Sequence, residues 1–311
     1  MLDRRGFLTA LVATSGCALR LPPAPSPSRW TWSPERASLP EVSVRALTVA
    51  TVQMSPHQSI NGEKDRTKRL APIAVYVLEH PTEGLLVVDT GYGRRTAADP
   101  ADYPGRLATR LLGLKMKSPL VDRLGDIGRS AGDLRHALIT HLHHDHGGGI
   151  EDLPPTTQLW VHEREWFAGA QRGALGTYDP LPYAGRSPTY FPFVGSAPYG
   201  PFPHHVDFFG DGTVIVLDAP GHTAGEVCVL VNRPTRSYLF TGDAAWVDRN
   251  WQDPAPIGPL PARLLVWDWR RSYDQLWRIH EWAERCPDLT VISGHEPANL
   301  DRLPAWPGTF A

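Results

Sequence analysis

Apolar positions along the chain fall into two rhythms. Val42–Met54 alternates partly between apolar and polar residues, which predicts a strand. Ile73–Leu78 and Leu85–Asp89 read as a strand pair joined by a turn at Pro81–Gly84. His136–Thr140 and Leu159–His162 are short strands, the second followed by a helix over Glu163–Gln171. Val214–Leu217, Val227–Val231, Tyr238–Phe240 and Thr290–Ile292 are short apolar runs of the kind that form buried strands. The helical rhythm is clearest in Arg270–Arg285, where Tyr273, Leu276, Trp277 and His280 fall at i, i+3, i+4 and i+7. Tyr103–Leu124 also reads as helical, interrupted near Gly113 and Pro119. The strands come in two batches, each followed by helix. This order predicts an α/β fold, with two sheets packed face to face and helices outside, in one domain over 41–311.

Two segments break the rhythm. Residues 173–212 are rich in Pro, Gly, Tyr and Phe, and a loop of that length in a compact domain is usually functional. The aromatic stretch Tyr178–Phe209 and the helical region Tyr103–Leu124 either wall an apolar cleft or pack on the core. The N-terminus reads as a targeting segment over 1–27. Arg4-Arg5-Gly6-Phe7-Leu8 resembles a twin-arginine signal, and the apolar stretch after it is too short to span a bilayer. Ser15-Gly16-Cys17 resembles the end of a lipobox with Thr14 in place of the usual leucine, so Cys17 is a candidate for a lipid anchor. A periplasmic location follows from this reading, and residues 28–40 become a Pro-rich tether.

Composition narrows the class. Hydrophobic residues are 41% and charged residues 21%, ordinary for a globular protein, and the formal charge is −2. No concentrated basic footprint exists, so no nucleic-acid partner is expected. Cys228 and Cys286 are available for a disulfide in an oxidising compartment, and no CxxC pair points to a thiolate zinc site.

The chemistry concentrates in His141-Leu142-His143-His144-Asp145-His146, between a strand and Gly147-Gly148-Gly149. Alternate residues of an extended segment share a face, so His141 and His143 can grip one ion. Asp145 and His146 come round the turn and can grip a second, while His144 points off the shared face. The glycines are expected to let the backbone turn sharply. One loop cannot complete two coordination shells. His222 in Pro220-Gly221-His222-Thr223-Ala224-Gly225, Asp243 in Thr241-Gly242-Asp243-Ala244 and His295 in Ser293-Gly294-His295-Glu296-Pro297 are the further candidates. Each lies just past a strand end, and Gly precedes each. Imidazole and carboxylate donors together suit zinc, with Fe, Mn or Co as alternatives.

These motifs, in this order, resemble the metallo-β-lactamase superfamily from roughly Val42 to Asn299. The resemblance implies an αββα sandwich of two mixed sheets and a site holding two Zn²⁺. His141, His143 and His222 would hold one ion, and Asp145, His146 and His295 the other, with Asp243 bridging. It further implies hydrolysis by a metal-bridging hydroxide with Asp145 handling a proton, and Asp89 and Thr140 orienting ligands. The motif set most resembles N-acyl homoserine lactonases, which implies a small-molecule substrate with an apolar part. Periplasmic β-lactam, thioester and phosphotriester hydrolysis are the alternatives within this fold. The complete ligand set argues against a metal-binding protein without turnover. One position departs from the lactonase pattern. Trp246 stands three residues after Asp243, where those proteins commonly carry a tyrosine.

Overall fold

The structure is a computed structural model that describes residues 18–26, 29–173 and 177–309. The twin-arginine motif and Cys17 lie outside the described residues.

Two mixed sheets form the frame. The first has the order β4-β1-β2-β3-β5-β6-β7. Its strands are β1 (Ser43–Met54), β2 (Arg69–His80), β3 (Gly84–Val88), β4 (Lys115–Met116), β5 (Leu134–Leu138), β6 (Gln158–Val161) and β7 (Thr189–Tyr190). The second has the order β12-β11-β10-β9-β8, with β8 (His205–Asp207), β9 (Val214–Asp218), β10 (Val227–Asn232), β11 (Ser237–Phe240) and β12 (Leu289–Ile292). Antiparallel pairing runs through β1, β2 and β3, then β3, β5, β6 and β7 pair in parallel. In the second sheet only β11 and β12 are parallel.

The pleat assigns residues to layers. Val214 and Val216 of β9 and Val227, Val229 and Val231 of β10 face Tyr76, Leu78, Leu86, Val88 and Leu138 of the first sheet. Their neighbours Ile215, Leu217, Cys228 and Leu230 face outward onto the helix Trp269–Arg285. Strands buried on both faces become uninterrupted apolar runs, which is why these segments were legible without alternation. On the opposite side, Val49, Val75, Val77 and Val87 pack beneath Tyr92, Tyr103, Leu120 and Leu124. The layers are therefore helix, sheet, sheet, helix.

Several expectations need correction. Tyr103–Leu124 holds only one short α-helix, Arg106–Leu112, ended by Gly113 at a left-handed φ of 57°. The region covers the outer face of the first sheet and contributes no residue to the cleft beside His143 and His222. Phe191, Phe193, Phe208 and Phe209 likewise pack around Trp160 and the inter-sheet core, because the nearest apolar surface lies there. The buried stripe of the long helix is Tyr273, Leu276, Ile279 and Trp282, and Trp277 and His280 lie at its edge. Cys228 and Cys286 are free thiols. The Pro-rich segment 28–40 lies against the domain where it is described. Trp30 and Trp32 meet Trp282 edge-on at centroid distances of 6.5 and 5.1 Å, and Arg36 pairs with Asp288 at 2.8 Å.

Candidate metal centre

Four strand ends deliver the site. β5 runs into Thr140–Asp145, β9 into His222, β11 into Asp243 and β12 into His295. The close approach of these loops explains the glycine before Asp243 and before His295. A Cβ on Gly242, which has a φ of 52°, would sit 2.4 Å from a Glu226 oxygen. One on Gly294 would sit 2.7 Å from an Asp243 oxygen. The glycines after the histidine cluster act in the same way and not as a sharp turn. Gly148 and Gly149 have ordinary φ values of −66° and −94°, and a Cβ on Gly149 would strike the Thr90 carbonyl at 2.8 Å. Between β5 and these glycines, His144–Gly147 forms one helical turn, with His143 at its N-cap.

All seven expected ligands converge. His141, His143, His222 and Asp243 form one group, and Asp145, His146 and His295 form another, with donor atoms in each group within 4.8 Å of one another. Asp243 lies between the groups. Its Oδ2 is 3.4 Å from His222 Nε2 and 3.9 Å from His141 Nε2. Its Oδ1 is 3.1 Å from His295 Nε2 and 3.3 Å from His146 Nε2. Asp145 Oδ2 lies 3.7 Å from His295 Nε2 and 4.0 Å from His146 Nε2. His143 Nδ1 and His222 Nε2 approach to 3.0 Å. His144 is outside both groups. Its Nδ1 is 2.8 Å from the Tyr92 hydroxyl, and the two rings stack.

The donor set fits a pair of cations. His141 Nε2, His146 Nε2 and Asp243 Oδ1 are buried and make no hydrogen bond among the described residues, which is costly unless something else satisfies them. Burial and neighbouring imidazoles hold His141 and His143 well below the usual histidine range, and His222 down at about 4, so these rings are neutral donors. Burial also opposes charge on His146 and His295. Their carboxylate neighbours, Asp243 foremost, nevertheless push both upward. Burial would raise Asp243, but His295 and His146 hold its carboxyl well below the usual carboxylate range. Protons thus collect where a cation would replace them.

Outer groups orient the imidazoles of this site. His146 Nδ1 donates to Asp89 Oδ2 at 2.8 Å, which leaves its Nε2 facing Asp243. Asp89 also accepts from the Thr140 N–H and hydroxyl, both at 2.8 Å, and adopts a left-handed φ of 60°. His295 Nδ1 donates to the Pro72 carbonyl at 3.2 Å. The expected orienting roles of Asp89 and Thr140 therefore have a geometric basis.

Two further carboxylates went unnoticed in the sequence. Glu226 is fully buried; it accepts from the Asp243 N–H at 2.8 Å, and its other oxygen is 3.3 Å from His141 Nδ1. An acid leading the apolar run Val227–Val231 was the available signal. Glu165, also fully buried, accepts from Leu142 N–H at 2.9 Å, the Tyr178 hydroxyl at 2.9 Å and Gly225 N–H at 3.2 Å. It ties both histidine loops to a tyrosine whose ring meets His143 at 4.8 Å. Its place in a polar helix gave no sign. Glu165→Ala is expected to weaken metal binding by about 10- to 100-fold, measured by competition with a chromogenic chelator, because three donors lose their acceptor.

A cleft of about 200 Å³ opens beside His143 and His222. Tyr178, Ala224 and Leu264–Trp267 wall it. The Trp267 N–H bonds the His222 carbonyl at 2.8 Å, and the Asp268 N–H bonds the Gly221 carbonyl at 3.0 Å, pinning this wall to a ligand loop. Trp246 lies against both metal groups, 6.1 Å from the His222 ring and 5.9 Å from the His295 ring.

An N-acyl homoserine lactonase, AttM, of Agrobacterium fabrum is 26% identical over 278 residues, covering 86% of this chain and 98% of its own. An N-acyl homoserine lactonase of Bacillus thuringiensis is 25% identical over 221 residues, covering 68% of this chain and 80% of its own. Among solved structures, an N-acyl homoserine lactone hydrolase with N-hexanoyl-L-homoserine bound at its metal centre superposes with a TM-score of 0.69 at 19% identity. It covers 88% of this chain and 100% of its own. AidC, a dizinc quorum-quenching lactonase, gives a TM-score of 0.55 at 15% identity, covering 88% and 91%. Residues 69–282 match the family model of the metallo-β-lactamase superfamily. With the sandwich and the converged His/Asp loops, this match makes the chain a member of the metallo-β-lactamase superfamily.

Proposed function

We propose that this protein is a dinuclear metallohydrolase that opens a lactone ring bearing an apolar acyl chain. The observation that carries the reading is Asp243, whose two oxygens face two separate histidine groups. His141, His143 and His222 would hold one ion and Asp145, His146 and His295 the other. Imidazole and carboxylate donors favour zinc. When bound, such a pair supplies Lewis acidity and lowers the pKa of a held water from about 15.7 towards about 7.

The chain's own residues supply the rest. Asp145 is the least buried of the seven, with 17% of its side chain exposed, and is placed to take and return a proton. The Leu264–Trp267 wall takes the apolar part of the substrate and excludes water from it. Trp246 offers a donor without the acceptor or acidity of a phenol. That substitution favours a second reading, an ester or phosphotriester substrate in the same site.

The deciding experiment is a side-by-side panel of acyl homoserine lactones, aryl esters, a phosphotriester and a chromogenic cephalosporin. Preferred turnover of the lactones supports the first reading, and preference for the ester or triester replaces it with the second. Export rests on Arg4-Arg5 and the apolar stretch after it, with processing ahead of Cys17 as Ser15-Gly16-Cys17 would direct, so that the segment from residue 18 stays in the mature chain. Mass spectrometry of the protein from its native host tests it, and an intact Met1 terminus rejects it.

A further inference from the structure

The segment that follows Cys17 packs into the body of the domain. Leu19 is only 8% exposed. Its N–H donates to Asn61 Oδ1 at 2.7 Å, and its carbonyl accepts from Asn61 Nδ2 at 3.1 Å. Asn61 is itself fixed, its own N–H bonding the Pro256 carbonyl at 2.7 Å. Leu19 shares a buried apolar cluster with Trp246, Ile257 and Ala262, and Leu265 and Val266 pack against that cluster. Leu265 and Val266 also line the cleft beside His143 and His222. Trp246 in turn lies against the His222 and His295 rings. One apolar cluster therefore joins the segment 18–21 to the cleft wall and to the metal centre. The superfamily match begins at residue 69, so this segment lies outside the matched residues.

We propose that residues 18–21 are a strap that fixes the apolar wall of the substrate cleft, with Leu19 as its positioning residue. The proposal rests on the hydrolase reading above and names what sets its preference for the substrate's apolar part. Leu19 is one of the four buried residues of the cluster, Trp246 among them, on which Leu265 and Val266 pack. Removing it leaves a gap into which that wall can relax, since packed interiors respond to the loss of even one or two methylenes. A wall free to move grips a long acyl chain less well than a fixed one, because ordering it on binding then opposes affinity. A short acyl group that does not reach the wall is indifferent to it.

The test uses the full chain carrying Leu19→Ala, and separately Asn61→Ala, which releases the strap without touching the apolar cluster. Both are expected to raise KM for a decanoyl homoserine lactone by about tenfold. Both should leave KM for the butyryl compound, kcat and metal content within about twofold. Calorimetric binding of decanoyl homoserine, the ring-opened product, should weaken by the same factor as KM. Unchanged KM and unchanged product binding at every chain length would overturn the proposal. Equal loss at both chain lengths together with loss of metal would also overturn it, since the strap would then be only structural. If the wild-type chain opens no lactone, the lactonase reading fails by itself. The strap is then judged on the same variants with 4-nitrophenyl acetate and decanoate, by the same split between short and long chains.

Discussion

Asp243→Asn lowers turnover by about a thousandfold or more, equivalent to about 4 kcal/mol of transition-state stabilisation. The expectation follows from the carboxylate's position. One oxygen serves His141 and His222 and the other serves His146 and His295, so each metal group depends on it. An amide keeps the shape but lacks the charge, and its NH₂ end has no lone pair for a cation. Whichever group faces the NH₂ loses a ligand. The Asp243 N–H to Glu226 bond is made by the backbone and survives the change. The fold should therefore persist, and unfolding temperature measured alongside kcat separates chemistry from collapse. Near-normal turnover in a folded variant would reject a bridging role.

Trp282→Ala destabilises the domain by about 3–5 kcal/mol, read from denaturant unfolding. Trp282 is fully buried on the long helix and meets Trp30, Trp32, Tyr199 and Phe202 through its ring. Its indole nitrogen has no hydrogen-bond partner among the described residues, so the loss is of packing and shape alone. A change below about 1 kcal/mol would mean that the N-terminal aromatics do not hold this surface.

Trp282 also shows where reading the sequence stops. The helical period of Arg270–Arg285 was plain, and Tyr273 and Leu276 belong to its buried stripe. The stripe then drifts through Ile279 to Trp282, not through Trp277 and His280, because the N-terminal aromatics cover the end of the helix. Nothing local encodes that cover. The candidate metal residues were legible for the opposite reason. Each lies in a short motif just after a strand end, with a glycine marking the close approach of a neighbouring loop. Glu165 was not legible, since its three partners come from loops distant in sequence. The cleft wall was only partly placed. The aromatics of 178–209 look like pocket lining by composition, but only Tyr178 lines the cleft, and Phe191, Phe193, Phe208 and Phe209 pack into the inter-sheet core. Leu264–Trp267 carries no period, and only the bonds from Trp267 and Asp268 to His222 and Gly221 reveal its place beside the cleft.

Metal content of the freshly purified, active protein tests the account most directly. Seven ligands divided by a shared carboxylate predict about two equivalents of transition metal per chain, with turnover falling as a chelator removes them. Full activity in a sample holding about one equivalent or less would contradict a two-metal site.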